Sequence, residues 1–302
     1  MALLSRILYD AVYHTTPILL CVLGGLFAYK AGVLNIALEG MMLAGSFISV
    51  LVAIQIQNTM LIYLSAILLC ALIGLVFACM AVKRNGNVII IGLAINMLVP
   101  AIAAFYLQYQ GIPNLTAKWV NPVNFHINIP LLEKIPVLGS ILSGHPLGTY
   151  IGFVMIFVAS MLLYKTKFGV YTRVIGESPS AAKSLGIQAD KYAVWAIMVG
   201  AVCCAVAGLN LSYERLGIYT NGMTAGRGFI AIAAIYCGKG NPVQSAIYAL
   251  IFGLARSLAI NLSVYAGSIS ALFDIIPYLL MITILAINSG YQIRNYKLRL
   301  YW

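Results

Sequence analysis

Charged side chains are scarce in this sequence of 302 residues, of which Asp, Glu, Lys and Arg make up only 8%. A soluble domain carries about 25% charged residues because its surface faces water, so this composition excludes an ordinary soluble protein. Hydrophobic residues make up 62%, and mean hydropathy is +0.97. Uncharged runs such as 60–82 and 193–211 match the ~20 residues that a helix needs to cross a bilayer. We predict an all-α polytopic membrane protein with about eight to ten membrane segments, broken or re-entrant helices among them, and no sizeable extramembrane domain.

Acidic residues are fewer still, with 7 Asp and Glu against 18 Lys and Arg and a net charge of +11. A basic excess can mark a nucleic-acid-binding protein, but no interleaving of basic and aromatic residues suggests such a groove. In membrane proteins, basic residues gather in the cytoplasmic loops instead. We therefore expect the lipid bilayer, and no nucleic acid, as a partner.

Motifs for metal, disulfide or nucleotide chemistry are missing. The six cysteines lie in apolar segments without a CxxC pair or a Cys/His cluster, and the three histidines are far apart in the chain. No G-x-x-x-x-G-K-[ST] run is present to cradle phosphates. We expect no metal, no cofactor and no catalytic residues. Only Arg6 precedes the first apolar core, and no small-residue cleavage site follows it, so we expect no cleaved signal peptide.

The apolar runs predict a first helix that ends near Tyr29, and a run at 229–237 that is too short to span. The further helices are predicted at 34–54, 60–82, 88–107, 147–164, 192–211, 243–262 and 275–287. If crossings alternate and the polar connection 165–191 is cytoplasmic, most basic residues lie inside, which predicts an outward N-terminus and a cytoplasmic C-terminus. The inside set is Lys30, Lys83, Arg84, Lys165, Lys167, Arg173, Lys183, Lys191, Lys239, Arg294, Lys297 and Arg299.

The connection 165–191 is far longer than the two to eight residues that usually join antiparallel helices. Ser178 can cap a helix that has Pro179 at its first position, and Gly186 can end it in a left-handed conformation. The pattern predicts a two-turn helix across the cytoplasmic face. This helix is either a docking element that fits a pocket on another protein or only an amphipathic surface helix.

Residues of this connection resemble a motif of ABC importer permeases. Ser180-Ala181-Ala182, followed by Gly186, is similar to their EAA loop, with Ser180 in place of the Glu. The preceding run 173–179 is similar to the R-x-x-G-E-x-P pattern of the branch that transports simple sugars, nucleosides and branched-chain amino acids.

Two further segments resemble the nucleoside-type permeases of that branch. Residues 32–42 are similar to G-x-x-N-I-G-x-E-G-x-M, with Ala37 in place of a common Gly. Residues 226–233 are similar to G-R-G-F-I-A-L-A and are followed by Gly238 and Asn241-Pro242. The three matches occur in the order of the family and together extend over most of the chain.

The resemblance implies one transmembrane permease domain over 1–302, with a type II ABC-importer-like bundle, in a bacterial cytoplasmic membrane. It implies a separate ATP-binding cassette subunit, often a tandem fusion, a second permease chain, often a different protein, and a substrate-binding lipoprotein. Nucleosides are the implied substrate, and simple sugars or branched-chain amino acids are the alternatives. The loop 165–191 is then a cytoplasmic coupling loop, and 108–146 is an extracytoplasmic loop that docks the binding protein. The residues expected to couple to the ATPase are Gly176, Glu177, Pro179, Ala181, Ala182 and Gly186.

Polar residues inside the apolar runs are candidates for the translocation pathway, because such groups usually face protein or a water-filled cavity. Asn35 and Glu39 lie four residues apart, hence on one helical face. The alternative for Glu39 is a structural pairing with Lys30 or with a neighbouring backbone amide. Asn96 lies in mid-helix, and its alternative role is an interhelical hydrogen bond.

The Gly-rich stretch 224–228 is a candidate broken-helix element beside the pathway. Thr224, Arg227 and Phe229 are therefore candidate pathway residues, and the alternative for Arg227 is that it snorkels to the interface. Arg256 lies in an apolar helix and needs an ion-pair partner. Asp274 carries the opposite charge and is the candidate.

Two other functional classes find little support in the sequence. A secondary transporter driven by an ion gradient needs intramembrane carboxylates or broken-helix ion sites, and Glu39 and Asp274 are few and lie near helix ends. A membrane-embedded enzyme needs a motif such as HExxH, paired central aspartates or a Ser/His/Asp set, which the sequence lacks.

Overall fold

A computed structural model describes residues 2–129, 136–264 and 270–287. Within these ranges seven helical spans are long and apolar enough to cross a membrane, and each falls on a predicted apolar run: Ser5–Lys30, Leu38–Gln55, Thr59–Lys83, Val88–Tyr109, Leu147–Lys165, Ala189–Glu214 and Pro242–Ser263. The helices are α1 Ala2–Lys30, α2 Leu38–Gln55, α3 Thr59–Ala78, α4 Val88–Tyr109, α5 Pro136–Leu142, α6 Leu147–Lys165, α7 Lys167–Glu177, α8 Pro179–Ser184, α9 Ala189–Leu209, α10 Arg227–Cys237, α11 Pro242–Ser263, α12 Ser270–Phe273 and α13 Ile276–Ile287.

Asparagine side chains set the starts of three of the spanning helices. The Oδ1 atoms of Asn58, Asn87 and Asn241 accept hydrogen bonds from the first amides of α3, α4 and α11, at 3.0, 2.9 and 3.0 Å. These amides have no partner inside their own helix, so each asparagine satisfies a backbone group that the helix leaves free. At their far ends, α3 and α9 are lengthened by π-helical turns at Cys79–Lys83 and Asn210–Glu214.

Helix α1 forms the centre of the bundle and packs against α6, α9, α10 and α11. Its middle is fully buried, with Cys21, Val22, Leu23, Leu26 and Phe27 all at 0% exposure. Close packing with α9 depends on a missing side chain: a Cβ added to Gly24 would lie 2.9 Å from the Gly200 carbonyl oxygen. Small residues at such crossings are typical of helices that pack inside a membrane.

The predicted basic loops lie together at one end of the bundle, which we call the basic end. Lys30 Nζ donates to the Lys239 carbonyl at 3.0 Å, and a Cβ on Gly32 would lie 3.3 Å from the Gly176 Cα. Lys83, at the end of α3, lines a groove together with Lys191. The turns after α1, α3 and α10 therefore share one end with the 165–191 connection. Arg294, Lys297 and Arg299 of the predicted inside set lie outside the described residues.

The second predicted helix begins later than expected, at Leu38 rather than 34. Helix α2 lies beside the second half of α9 and runs in the same direction, as Ser46 Oγ donates to the Gly208 carbonyl and Ser49 Oγ contacts Ser212 Oγ at 3.0 Å. The first turn of α2 is therefore level with the middle of α9. Residues 31–37 carry the chain from the basic end into the bundle as turns and irregular backbone.

Helix α10 is a half-helix of 11 residues, which agrees with the prediction that 229–237 is too short to span. It begins beside the first turn of α2 and ends next to Lys239 at the basic end. The chain reaches its start from a strand at the opposite end, so the strand, the following turns and α10 together complete one crossing. The short helix therefore does not break the alternating direction of successive crossings.

Short strands cover the end opposite the basic end. Strand β1 (Asn114–Thr116) pairs antiparallel with β4 (Ile218–Thr220), and β2 (His126–Ile127) pairs antiparallel with β3 (His145–Pro146). The first pair ties the long loop after α4 to the segment that precedes α10. A 3₁₀ turn at Pro122–Phe125 and α5 complete the described part of this surface.

Candidate functional site

The connection 165–191 folds into two short helices. Ser178 Oγ accepts a hydrogen bond from the Ala181 amide at 3.3 Å, Pro179 occupies the first position of α8, and Gly186 has φ +75°. These three features confirm the predicted short helix. The structure adds α7, which the sequence interpretation missed and which begins where Thr166 Oγ1 accepts from the Gly169 amide at 3.2 Å.

The residues predicted to couple to the ATPase divide into an outer and an inner group. Five of them are exposed and accessible to another protein: Gly176, Glu177, Pro179, Ala181 and Gly186. Ala182 is fully buried and packs in a small apolar cluster with Ile175 and Ala189. Its small side chain therefore serves the packing of this chain, not the approach of a partner.

Gly176 connects the two-helix connection to α1. A Cβ at this position would overlap the Lys30 carbonyl and would lie 3.0 Å from the Gly32 amide nitrogen. The backbone of α7 consequently rests directly on the end of α1.

Glu39 joins the starts of α2 and α10. Its two carboxylate oxygens accept hydrogen bonds from the Gly226 amide at 2.8 Å and the Gly228 amide at 2.6 Å. The cap position of α10 is Gly226, which has φ +74° and no side chain that can accept these bonds. A negative charge there also matches the positive N-terminal end of the α10 dipole. We call this contact the half-helix junction.

The structure decides between the two readings of Glu39. The pairing with Lys30 is wrong, because the Lys30 ammonium donates to the Lys239 carbonyl at the basic end. The backbone-amide alternative is confirmed, although the amides belong to a segment far away in the chain and not to a neighbour in sequence. Both oxygens of the carboxylate have partners, so the group serves as a cap between helices.

Asn35 and Asn96 hold the non-helical entry to α2. Asn35 precedes the helix, so the argument that it shares a helical face with Glu39 is wrong; its Oδ1 accepts from the Ala37 amide at 3.1 Å and its side chain is buried. Asn96 Oδ1 accepts from the Gly40 amide at 2.8 Å, and its Nδ2 donates to the Ile36 carbonyl at 2.9 Å. The interhelical hydrogen bond predicted as the alternative for Asn96 is thus confirmed.

The Gly-rich stretch 224–228 buries its two polar side chains, although Ala225 between them is exposed. Thr224 is 2% exposed and Arg227 is 9% exposed, and Arg227 Nη1 donates to the Met223 and Thr224 carbonyls at 2.9 and 3.0 Å. The alternative that Arg227 snorkels to the interface is therefore wrong, since its guanidinium is held by the local backbone. Phe229, two residues on, exposes 39% of its surface.

The structure brings the six pathway candidates close together. Glu39, Thr224, Arg227 and Phe229 meet at the half-helix junction, and Asn35 and Asn96 hold the segment that leads into it. The proposed partner of Arg256 is also confirmed, because its Nη1 lies 3.0 Å from Asp274 Oδ1. Within the described ranges, no group of three His, Cys, Asp or Glu residues is placed to hold a metal ion.

A second carboxylate, that of Glu214, repeats the arrangement of the half-buried Glu39, and its capping role was missed in the sequence. Glu214 is 0% exposed and accepts hydrogen bonds from the Tyr63 hydroxyl, from the Gly148 amide at 3.0 Å and from Asn210 Nδ2 at 2.7 Å. Gly148 lies in the first turn of α6, whose cap position is Pro146 and supplies no side-chain acceptor. The only local signal was an acid at the end of a long apolar run.

The chain belongs to a family of membrane permeases. The model of the family described as branched-chain amino acid transport system / permease component matches residues 7–285. With seven apolar helices in its described part, the chain is a multi-pass membrane protein and the non-hydrolysing, permease component of its system. The family implies an ATP-binding subunit and a substrate-binding protein as partners.

Curated relatives match the chain along most of its length. The chain is 33% identical to the nucleoside ABC transporter permease protein NupC of Lactococcus lactis, over 95% of this chain and 93% of the relative. It is 34% identical to the guanosine ABC transporter permease protein NupQ of Bacillus subtilis, over 95% and 92%. A putative glucose ABC transporter permease protein, TsgC13 of Haloferax volcanii, is 27% identical over 86% and 79%. No solved structure matches the chain.

Proposed function

We propose that this chain is the membrane-spanning subunit of an ATP-driven importer of nucleosides. The observation that carries the proposal is the similarity to two permeases named for nucleoside and guanosine transport, each at 33–34% identity over 95% of the chain. The resemblance of 32–42 and 226–233 to nucleoside-type permeases supports the same substrate. Those two segments build the half-helix junction.

The proposed system places the basic end in the cytoplasm of a bacterium. Support comes from the accumulation of lysine and arginine at that end, as expected for cytoplasmic loops. The exposed residues of α8 then meet a cytoplasmic ATP-binding subunit, which we propose to be a tandem fusion. The opposite end, with its paired strands, receives a substrate-binding lipoprotein. A second, paralogous permease chain completes the membrane part.

We infer that ATP-driven movement enters through α8 and reaches the half-helix junction along a chain of contacts. Helix α8 follows α7 directly, and Gly176 of α7 rests on the end of α1. Lys30 at that end holds the Lys239 carbonyl after α10, and Glu39 joins the start of α10 to α2. Each link is a backbone or hydrogen-bond contact, so α10 and α2 are mechanically connected to the surface that would bind the ATP-binding subunit.

The half-helix junction is our candidate for the translocation pathway and its gate. The polar side chains of Asn96, Glu39 and Arg227 are engaged with backbone groups, so they shape the junction and are not free to bind cargo. Phe229 is exposed at this depth and offers an aromatic face on which a nucleobase can stack. Such stacking separates a nucleoside from a simple sugar or a branched-chain amino acid, the two alternative substrates.

The proposed substrate is tested by competition. The chain, its ATP-binding subunit, its second permease and its binding protein are reconstituted in vesicles, and uptake of labelled guanosine is measured with excess adenosine, glucose or leucine. We expect competition by adenosine alone. Failure of guanosine to accumulate, together with accumulation of labelled glucose or leucine in the same vesicles, would overturn the nucleoside assignment while leaving the permease class intact.

A further inference from the structure

Two open grooves flank the first turns of α9 at the basic end. The first has a volume of about 490 Å³ and is lined by Lys83, Gln188, Asp190, Lys191, Val194 and Trp195. The second has about 550 Å³ and is lined by Leu162, Thr166, Phe168, Lys191, Tyr192, Trp195 and Val199. Lys191 and Trp195 belong to both, so α9 forms a ridge between the two grooves.

The grooves exist because α9 is uncovered only at this end. Its exposed residues are Asp190, Lys191 and Trp195, all within the first two turns, and from Ala196 onward each residue is buried or half-buried. Trp195 is 56% exposed. A large aromatic side chain that stands at a helix end of a membrane protein lies at the level of the lipid headgroups.

The charges around the ridge favour an anion. Lys83 and Lys191 line the first groove against one carboxylate, that of Asp190, and neither lysine forms an ion pair within the described part of the chain. Lys165 and Lys167, both exposed, flank Thr166 of the second groove. The local balance is therefore strongly positive.

The second groove has the length and composition that an acyl chain needs. From Lys191 to Val199 it follows α9 for about 12 Å, at 1.5 Å per residue, toward the membrane interior. Leu162, Phe168, Tyr192 and Val199 make its walls apolar. A cytoplasmic protein does not reach between membrane helices at that depth, whereas a lipid tail does.

We propose that this surface binds an anionic phospholipid, with the headgroup phosphate between Lys83 and Lys191 and an acyl chain in the groove beside Trp195. Basic pockets between membrane helices on the cytoplasmic side are known to hold anionic headgroups. The lipid fills the gap beside the start of α9, directly after the 165–191 connection. It thereby supports α9, the helix that follows the surface proposed to contact the ATP-binding subunit.

The test is lipid retention, which does not depend on transport or on the identity of the cargo. The permease is purified in mild detergent, incubated with equal amounts of phosphatidylglycerol and phosphatidylcholine, and examined by native mass spectrometry. We expect the wild type to retain phosphatidylglycerol preferentially. Lys83→Gln and Lys191→Gln are each expected to lower that preference about fivefold, whereas Lys191→Arg is expected to preserve it. Trp195→Ala is expected to lower the retention of both lipids equally.

Lys118→Gln is the matched control, because Lys118 is an exposed lysine of the loop after α4, away from the basic end. Equal retention of both lipids by the wild type would overturn the proposal, and so would an equal loss of preference in Lys118→Gln. A Lys83→Gln/Lys191→Gln variant that keeps its preference for phosphatidylglycerol but no longer copurifies with the ATP-binding subunit would show that the surface docks a protein instead.

Discussion

Glu39 and Gly228 lie so close that a Cβ added to the glycine would stand 2.5 Å from the Glu39 amide nitrogen and 2.6 Å from its Cα. The Gly228 amide in turn donates to the Glu39 carboxylate at 2.6 Å. Only a residue without a side chain allows this approach, so the geometry of the half-helix junction depends on both residues at once.

Gly228→Ala is expected to abolish uptake and to destabilise the protein by about 1–3 kcal/mol, because the added methyl group separates α10 from α2. Thermal unfolding in detergent and guanosine uptake measure the two effects. Gly152→Ala is the control, since a Cβ there meets its nearest neighbour, Leu19 Cδ2, at an ordinary 3.5 Å. Wild-type unfolding and uptake in Gly228→Ala would contradict the described packing.

Glu39→Gln removes the charge and one of the two acceptors that cap α10. One glycine amide then remains buried without a partner, which costs about 1–3 kcal/mol. We expect a lower unfolding temperature, partly restored in Glu39→Asp. The exposed carboxylate of Glu177 provides the comparison, as Glu177→Gln is expected to change stability by less than about 0.5 kcal/mol. Equal unfolding temperatures of Glu39→Gln and Glu177→Gln would argue against the cap.

Ala181 and Ala182 are adjacent in α8 but differ in burial, so arginine at each position has a different expected effect. Ala181→Arg projects from the exposed face and is expected to block uptake while the permease remains folded. Ala182→Arg forces a charge into the cluster with Ile175 and is expected to unfold the connection itself. Size-exclusion profiles and uptake separate the two outcomes. Normal uptake in folded Ala181→Arg would remove α8 from the proposed route.

The burial of the His145 ring leads us to expect that the folded protein loses stability in acid. The ring stacks on Tyr9 with centroids 4.1 Å apart, and burial lowers the pKa of His145 to about 4, against about 6.5 in an unfolded chain. Because the folded state favours the neutral ring, the stabilisation is complete above pH 6.5 and is lost as the pH falls toward 4. Between pH 7 and 4.5 the wild type is expected to lose about 2 kcal/mol more than His145→Gln. The same pH dependence of the free energy of unfolding in the wild type and in His145→Gln would contradict this expectation.

The sequence predicted the membrane helices well, because each apolar run has only one way to satisfy its backbone in lipid. It also predicted the Ser178 cap, the short span of 229–237 and the pairing of Arg256 with Asp274. These depend on local composition or on opposite charge in a chain with few charges. The start of α2 was placed too early, since Leu34 and Ile36 are apolar and their non-helical backbone leaves no mark in hydropathy.

The hydrogen-bond partners of Glu39 and Glu214 could not be predicted from the sequence for a different reason. Their hydrogen-bond partners are separated from them by between 4 and 189 residues, and most are backbone amides, which carry no residue identity. Likewise, Ala182 and Ala181 look equivalent in the chain, and only the packing of α8 on Ile175 makes one internal and the other external. The sequence could name the polar residues that matter, but not which backbone each one holds.

The central claim is that this chain moves cargo only when a separate ATP-binding subunit drives it. The most direct measurement is guanosine uptake into vesicles that contain both permease chains and the binding protein, with or without the ATP-binding subunit, and with or without ATP. We predict uptake only when subunit and ATP are both present, unchanged when ionophores collapse the ion gradients. Uptake that proceeds without the subunit and follows an imposed proton or sodium gradient would contradict the account.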